Sequence, residues 1–452
     1  MVPAADVVAL LRRLCVFVAL LVASALPAAS SAQTAPLFVA LGPADAALYK
    51  PDAGPPPHVA LLVVHRTADF MRHAACTELS RRGFMVLCMN TRFVGNEEAV
   101  RFETMALDVK AGIAYLRRQP GITKVVLFGH SGGGPTVSFY QAVAENGIAY
   151  CRDPKRLTTC DDALAGLPPA DGIVFADSHP GNPVNVLRGL NPSVVNESDP
   201  PSKQVNSALD PFNPKNGFNP NGPSHYSPEF QARYYAAQSK RMNDLIAASQ
   251  HKLQQMKNGT YSYPDDDIIV IPRGGNPGSG PGAAAALFDF DPSIAGIFST
   301  VRPEKLLRND GTIVRQPISS VWVAQPRLRD LHMTFDGGTK ILSIRSFLSA
   351  NAVRSTNSLD AIDDCSSNNS TTCAVQSIAV PQLFTAMGAH YFVRDVERQY
   401  DLSKTKDKDF VVIEGATHFF TPCTACEKTP GQYSNTMKNL FDYVAAWLHA
   451  HY

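Results

Sequence analysis

The sequence predicts an α/β protein with a mostly parallel central sheet, helices on both faces of that sheet and a large cap or lid insertion. Short apolar runs rich in valine and leucine alternate with helical patterns up to residue 177 and again after residue 376. A long stretch rich in proline, asparagine and glycine separates the two parts. Strands of a parallel sheet that is covered on both faces are apolar throughout, which is the pattern seen here.

The elements follow one another as strand and helix along the chain. Continuous apolar runs indicate buried strands, and apolar residues at helical spacing that stop at glycine or proline indicate helices. The first part has predicted strands at 58–65, 84–90, 124–128 and 171–177 and predicted helices at 72–82, 103–118 and 132–146. The last part has predicted strands at 377–388 and 409–418, followed by an amphipathic helix that contains Met437 and Trp447.

The domain organisation follows from where this alternation breaks. We interpret residues 33–178 and 346–452 as the two parts of one core, and residues 179–345 as a cap or lid that folds over the sheet. An insertion of this size above an active site forms a lid or an enclosed pocket.

One long helix is clear within the insertion. Ser227 is its predicted cap and Pro228 its first residue. Phe230, Tyr234 and Tyr235 lie on this helix and either line a substrate pocket or pack the small core of the insertion. The second role is the more common one for aromatic residues at helical spacing.

The N-terminus has the pattern of a signal peptide, which we expect over residues 1–32. Arg12 and Arg13 precede an apolar run that is short for a membrane helix, and small residues follow up to an expected cleavage site after Ala32. The alternative is an uncleaved membrane anchor. No later run reaches ~18 apolar residues, so we expect no stable membrane span after cleavage and a secreted or periplasmic protein.

Cysteine usage agrees with export. One of the nine cysteines, Cys15, lies in the predicted signal peptide, and an even number remains, which indicates disulfides in an exported chain. The eight are Cys76, Cys88, Cys151, Cys160, Cys365, Cys373, Cys423 and Cys426. The last six are close in sequence as three pairs, which suggests local loop staples. The C-x-x-C at 423–426 is also compatible with a metal or redox site, but a single pair of ligands is weak evidence.

The glycine-rich segment Gly129-His130-Ser131-Gly132-Gly133 fits the pattern G-x-S-x-G and lies between a predicted strand and a predicted helix. A serine presented at the tip of a sheet needs a tight and strained turn, and the glycines remove side chains that would collide there. The helix that begins beside it offers free N–H groups and a positive dipole end. We therefore predict that Ser131 is a nucleophile; the alternative is a structural glycine-rich turn.

With this motif the chain resembles the α/β-hydrolase superfamily, and the resemblance covers residues 58–178 and 377–449. It implies a nucleophilic serine, an acid and a histidine in that order, with the histidine after the last strand. His418 follows the strand at 409–418 and matches that position. A serine hydroxyl needs such an imidazole to take its proton near neutral pH. The alternative is a loop histidine bonded to the backbone.

The acid departs from the family pattern. After the strand at 377–388, where the family usually has its acid, the chain has His390 and Tyr391. Some members place the acid after the preceding strand, and Asp177 lies there. We predict Asp177 as the acid, because a carboxylate at the end of a buried strand needs a partner. Asp395 is the alternative acid, and capping of the next turn is the alternative role of Asp177.

The resemblance also implies an oxyanion hole made of two N–H groups. One is the amide of Gly132, and the other comes from the loop that starts at His65, where the amides of Arg66 and Thr67 are both candidates. Two interpretations of the Arg66 side chain stay open: a contact to an acidic or polar substrate, and an ion pair, for instance with Asp69.

The predicted function is that of a secreted serine hydrolase that cleaves a small or polymeric carboxylic ester through an acyl-enzyme. No metal or cofactor is expected. The composition, with 18% charged residues and a formal net charge of +1, gives no reason to expect a nucleic-acid partner. Amides, lactones and thioesters use the same chemistry. The alternatives are a hydrolase-like fold that serves as a non-catalytic binding protein, and a lyase or transferase that uses the same residues.

Overall fold

The computed structural model describes residues 34–198, 204–275, 285–320 and 325–452. The predicted signal peptide and most of the glycine-rich loop near residue 280 lie outside these ranges. Within them, no helix has both the length and the apolar character needed to cross a bilayer.

The structure contains fourteen strands in these ranges. They are β1 Leu37–Leu41, β2 Ala44–Tyr49, β3 Val59–Val64, β4 Met85–Met89, β5 Lys124–His130, β6 Gly172–Ala176, β7 Ile268–Ile271, β8 Glu304–Leu307, β9 Ile313–Gln316, β10 Lys340–Ser343, β11 Ser355–Asn357, β12 Ala361–Ile362, β13 Gln382–Met387 and β14 Lys408–Ile413.

Ten strands form the central sheet, in the order β1-β2-β4-β3-β5-β6-β13-β14-β8-β9. The seven strands from β4 to β8 in this order are parallel to one another, and β1, β2 and β9 run antiparallel to their neighbours. The predicted mostly parallel sheet is confirmed.

The helices of the described ranges are, in chain order, α1 Ala74–Ser80, α2 Met105–Arg117, α3 Gly133–Asn146, α4 Asn182–Gly189, α5 Pro228–Lys257, α6 Leu328–His332, α7 Phe335–Gly338, α8 Ile344–Ser346, α9 Thr371–Ala374, α10 Val393–Leu402 and α11 Thr436–His451. Short 3₁₀ turns and one π-helical turn, Phe347–Asn351, connect some of them.

The strands are apolar throughout because each face of the sheet has its own core. Successive side chains of a strand point to opposite faces. In β3, Leu62 and Val64 pack in the cluster that contains α2 and α3, whereas Leu61 and Val63 pack in the cluster that contains α1 and α11. All six residues of β3 are buried.

The predicted insertion has mixed structure. Helix α5 begins as predicted, with the Ser227 hydroxyl accepting a hydrogen bond from the Phe230 amide at 3.2 Å. Phe230, Tyr234 and Tyr235 are buried in an apolar cluster formed largely by the insertion, so their side chains pack there. Strands β8 and β9 also fall within 179–345, yet they pair beside β14 in the central sheet. This part of the segment therefore extends the core sheet.

The eight cysteines of the described residues form four pairs at disulfide distance. Three are the predicted neighbours in sequence, and the fourth joins α1 to β4. They are Cys76–Cys88, Cys151–Cys160, Cys365–Cys373 and Cys423–Cys426.

Candidate active site

Five polar residues lie at one edge of the sheet, because each follows the carboxyl end of one of five adjacent parallel strands. In sheet order, the strands are β3, β5, β6, β13 and β14, and the residues that follow them are His65, Ser131, Asp177, His390 and His418. Parallel sheets bind ligands outside the carboxyl ends of their strands. The candidate site is built on this edge.

Ser131 occupies a strained turn between β5 and α3. Its φ is 55°, in the left-handed region that residues with a Cβ rarely adopt. Its amide donates to the Ala176 carbonyl at 3.2 Å, which ties the turn to the end of β6. The turn holds the serine at the edge of the sheet, partly exposed.

The glycines around Ser131 are required by close approach. A Cβ on Gly133 would lie 2.2 Å from the Val64 carbonyl oxygen, and one on Gly129 would lie 2.8 Å from the Gly133 backbone. Real Cβ atoms do not approach backbone atoms so closely. The strand, the turn and the helix can therefore pack against β3 only without these side chains.

Asp177 is buried directly after β6, also with a positive φ, of 44°. Its amide donates to the Thr385 carbonyl at 2.7 Å, and its Oδ1 accepts from the Met387 amide at 3.1 Å. Its Oδ2 lies 2.6 Å from His418 Nδ1. Burial alone would raise the pKa of this carboxyl group, but His390 and His418 lower it well below its usual range. Asp177 is therefore ionised at neutral pH.

The structure thus brings Asp177 and His418 together and places His418 beside the turn. The His418 ring lies against that of His130, the residue before Ser131, with 4.6 Å between the ring centroids. His130 Nε2 also lies 2.8 Å from the His418 carbonyl oxygen. Because Asp177 occupies Nδ1 of His418, Nε2 is the nitrogen that is left to exchange protons with a neighbour.

Asp395, the alternative acid, has a different partner. Its two carboxylate oxygens accept from the Arg188 guanidinium at 2.7 and 3.0 Å. It lies on α10, where it forms a buried ion pair with α4. The Asp395 carboxylate therefore joins two helices through Arg188. The carboxylate that contacts His418 is that of Asp177.

His390 is a second imidazole on the same carboxylate. Its Nδ1 lies 2.7 Å from Asp177 Oδ2, and its ring centroid lies 4.4 Å from that of His418. Burial lowers the pKa of His390, and Asp177 opposes that effect. The sequence showed a histidine where the family usually has its acid, but only the fold shows that this histidine contacts the displaced acid.

A chain of histidines supports the loop of His418. His73 Nδ1 accepts from the Ala75 amide at 3.2 Å, so its proton lies on Nε2. That Nε2 lies 3.0 Å from His130 Nδ1, which places the proton of His130 on Nε2, where it donates to the His418 carbonyl. Burial lowers the pKa of His73 to about 3 and that of His130 well below 6.5. Both rings are neutral, as this bonding requires.

The loop after β3 differs from the expected oxyanion hole. The Thr67 amide, one of the two candidate donors, donates to His65 Nδ1 at 3.0 Å, and the Ala68 amide donates to the same atom at 2.8 Å. Thr67 is therefore engaged elsewhere, and the amide of Arg66 is the remaining candidate of the pair.

These two bonds also orient His65. Since Nδ1 accepts, the neutral ring carries its proton on Nε2, and burial followed by the Arg66 charge lowers the pKa of His65 well below 6.5. A Cβ built on Gly132 would lie 2.6 Å from His65 Nε2 and 3.2 Å from His179 Nε2. An imidazole N–H donor thus faces the residue after the serine, a feature that the sequence did not reveal.

The Arg66 side chain is buried and pairs with Glu97, from the loop after β4. The expected partner, Asp69, instead accepts hydrogen bonds from the Asn90 side chain and the Met71 amide. The sequence suggested Asp69 because it is near in the chain, whereas the fold brings Glu97 closer.

Asp177, His390 and His418 also form a group of potential metal ligands, and no other such group occurs in the described ranges. Both imidazole nitrogens already lie at hydrogen-bond distance from one carboxylate oxygen. A metal ion would have to replace both N–H protons, so the arrangement fits a hydrogen-bonded acid better than a metal centre.

Comparisons with known proteins give remote likenesses. The chain matches no protein-family model and no curated protein sequence. Among solved structures, it is similar to a highly thermostable carboxyl esterase from Bacillus coagulans, with 10% identity and a TM-score of 0.40 over 92% of this chain and 97% of that one. Est1E from Butyrivibrio proteoclasticus has 9% identity and a TM-score of 0.38 over 92% and 99%.

A third similar structure is a proline iminopeptidase from Mycobacterium smegmatis, with 14% identity and a TM-score of 0.36 over 92% of this chain and 98% of that one. The fold is evident from the chain itself. The order of the eight strands from β1 to β14 in the sheet and the strained serine turn between β5 and α3 show that this protein has the α/β-hydrolase fold.

Proposed function

We propose that this protein is a serine hydrolase that cleaves a carboxylic ester, with Ser131 as nucleophile, His418 as base and Asp177 as the acid that orients the base. The observation that carries the proposal is the 2.6 Å contact between Asp177 Oδ2 and His418 Nδ1 beside the strained turn of Ser131. An ionised carboxylate on Nδ1 leaves Nε2 of the imidazole as the proton acceptor, which is the arrangement that activates a serine hydroxyl.

The reaction would follow two steps, acylation of Ser131 and hydrolysis of the acyl-enzyme. The Ser131 oxygen attacks the ester carbonyl carbon, and its proton passes to His418 Nε2. The C–O bond to the alcohol then breaks, and the alcohol leaves with that proton, so that the acyl group remains on Ser131. Water next attacks the acyl carbon with His418 again as base, and the carboxylic acid and free serine are formed.

The oxyanion that forms in each step needs donors that are already in place. The amide of Gly132 and the amide of Arg66 are the backbone candidates. The Nε2–H of His65 is a third donor, because the ring is held in that tautomer by two backbone amides and faces Gly132. Its neutral state suits this role, since a donor that does not ionise keeps its proton over the working pH range.

The absence of an acid directly after β13 is the motive for the non-catalytic alternative. The contact between Asp177 and His418 removes that motive, because the acid after β6 reaches the same imidazole.

Four cysteine pairs at disulfide distance support export to an oxidising compartment. Mass spectrometry of the exported chain should find a mature N-terminus at Gln33.

Labelling with a fluorophosphonate tests the nucleophile. We expect the wild-type protein to carry the probe on the peptide that contains Ser131, and we expect Ser131→Ala and His418→Ala to lose labelling. Ser138→Ala is a matched control, because this serine lies on α3 with its hydroxyl bonded to the Pro135 carbonyl. A wild-type protein that is folded yet takes no label would contradict the proposal.

Product analysis then defines the reaction class. A panel of esters, anilides, lactones and thioesters incubated with wild type and Ser131→Ala separates the substrates. Release of free acid in water indicates hydrolysis, whereas acyl transfer to an added alcohol or amine with little free acid would indicate a transferase.

A further inference from the structure

Among the described residues, only one of the three guanidinium nitrogens of Arg66 has a hydrogen-bond partner. Arg66 is 2% exposed, and its Nη2 donates to Glu97 Oε1. Its Nε and Nη1 have no hydrogen-bond partner among the residues that the structure describes. A buried charged donor without an acceptor is costly, and each such group calls for a reason.

Lys340 is a second buried cation near the same carboxylate. It begins β10 and is 5% exposed. Burial lowers the pKa of Lys340 to about 8, whereas Glu97 opposes this and Arg66 adds to it. The lysine is therefore still largely charged at neutral pH.

Glu97 is thus a single buried carboxylate among two buried cations. Its Oε1 accepts from the Thr67 hydroxyl at 2.6 Å as well as from Arg66. Burial would raise the pKa of Glu97, but Arg66 and Thr67 lower it. Glu98, which also acts on Lys340, is exposed to solvent, where its charge is screened. The cluster of Arg66, Lys340 and Glu97 carries an excess of positive charge.

This cluster lies beside the proposed reaction centre. Arg66 follows His65, whose Nε2 faces Gly132. After burial, the Arg66 charge is the next largest influence that lowers the pKa of both His65 and His179. Because Arg66 directly follows His65, an anionic group bound to its two unpartnered nitrogens would lie near the proposed reaction centre.

We propose that Arg66, with Lys340 as a second buried cation of the cluster, binds a carboxylate of the substrate, so that the preferred substrates are esters that carry a free carboxylate near the scissile bond. This inference rests on the proposed function and names its substrate class. A guanidinium matches a carboxylate in shape and charge and can donate two parallel hydrogen bonds to it. The competing role is donation to the oxyanion, which every ester would use equally.

Matched pairs of esters separate the two roles. The monoester of glutaric acid with para-nitrophenol is compared with para-nitrophenyl hexanoate, which places the charge on the acyl side. Para-carboxyphenyl butyrate is compared with para-acetylphenyl butyrate, which places the charge on the alcohol side. We expect wild type to have a higher kcat/KM for the charged member of at least one pair.

Substitution of the arginine should abolish that preference. In Arg66→Met we expect kcat/KM for the preferred charged ester to fall about tenfold to a hundredfold, with a much smaller change for its neutral partner. Lys340→Met should lower the same ratio by less. Arg241→Met is the control, because Arg241 is also buried and paired with a glutamate, Glu197, at 2.6 Å within the insertion, and its loss should leave the ratio unchanged.

Binding to Ser131→Ala gives a second test that keeps Arg66 in place. Glutarate should raise the melting temperature of this variant more than hexanoate does at the same concentration. No charge preference in wild type, or equal losses on both members of each pair in Arg66→Met, would overturn the inference while leaving the serine hydrolase intact. If no ester is hydrolysed at all, the proposed function fails, and the glutarate shift still decides whether the anion site exists.

Discussion

Replacement of Asp177 by asparagine is the sharpest test of the proposed site. The carboxylate has three N–H neighbours: the Met387 amide at 3.1 Å on Oδ1, and the imidazoles of His418 and His390 at 2.6 and 2.7 Å on Oδ2. An amide side chain has one acceptor oxygen and an NH₂ group. If its oxygen keeps the bond to Met387, the NH₂ group faces two N–H groups, and at least one imidazole must change tautomer.

For His418, a change of tautomer moves the proton onto Nε2 and removes the acceptor for the serine proton. In the serine-protease triad the equivalent substitution lowers kcat about ten-thousandfold, or about 5 kcal/mol of transition-state stabilisation. We expect Asp177→Asn to lower kcat by about a thousandfold to ten-thousandfold. The loss of kcat should be closer to about ten-thousandfold, because the imidazole of His390 also opposes the introduced NH₂ group.

Asp395→Asn is the matched control in the same assay. It breaks the buried pair with Arg188 and should lower the free energy of unfolding by about 3 to 5 kcal/mol, with little change in kcat of the folded enzyme. Stopped assays on the purified folded fraction and urea denaturation measure the two effects separately. The reasoning is refuted if Asp177→Asn keeps more than about a tenth of wild-type kcat, or if Asp395→Asn loses as much.

Three further predictions concern stability. Ser131→Gly should raise the free energy of unfolding by about 1 kcal/mol in urea, because it relieves a φ of 55°; a decrease would show that the turn is not strained. Gly133→Ala should lower it by about 3 kcal/mol or more, since the new Cβ would meet a carbonyl oxygen at 2.2 Å, whereas Gly296→Ala, with no atom of the described residues within 4 Å, should have little effect. Below pH 6.5 stability should fall by up to about 1.4 kcal/mol per pH unit for each buried histidine, because the low pKa values of His73 and His130 leave the protons to the unfolded chain; a flat profile down to pH 3 would contradict this.

The local sequence pattern was sufficient to predict most strands and helices of the core. β3 to β6, α2, α3, β13, β14 and α11 form close to where apolar runs and helix ends predict them, because burial on both faces and helix termination are written in neighbouring residues. β1 and β2 were missed: β1 is a short apolar run, but both strands lie in the proline-rich lead at the antiparallel edge of the sheet, where the prolines indicate a loop. β8 and β9 were missed because two strands of four residues in a loop-rich segment resemble the loops around them.

The site shows the same division. A serine among glycines between strand and helix, and a histidine after the last strand, are local patterns with a chemical reason, and the sequence by itself determined both candidates. Which carboxylate meets His418, which residue pairs with Arg66, and the convergence of His65 and His390 on the site were decided only by the tertiary structure. The physical reason is that strand order in a parallel sheet brings together loop ends that lie far apart in the chain, and hydrogen bonds between such ends leave no periodic trace in the sequence.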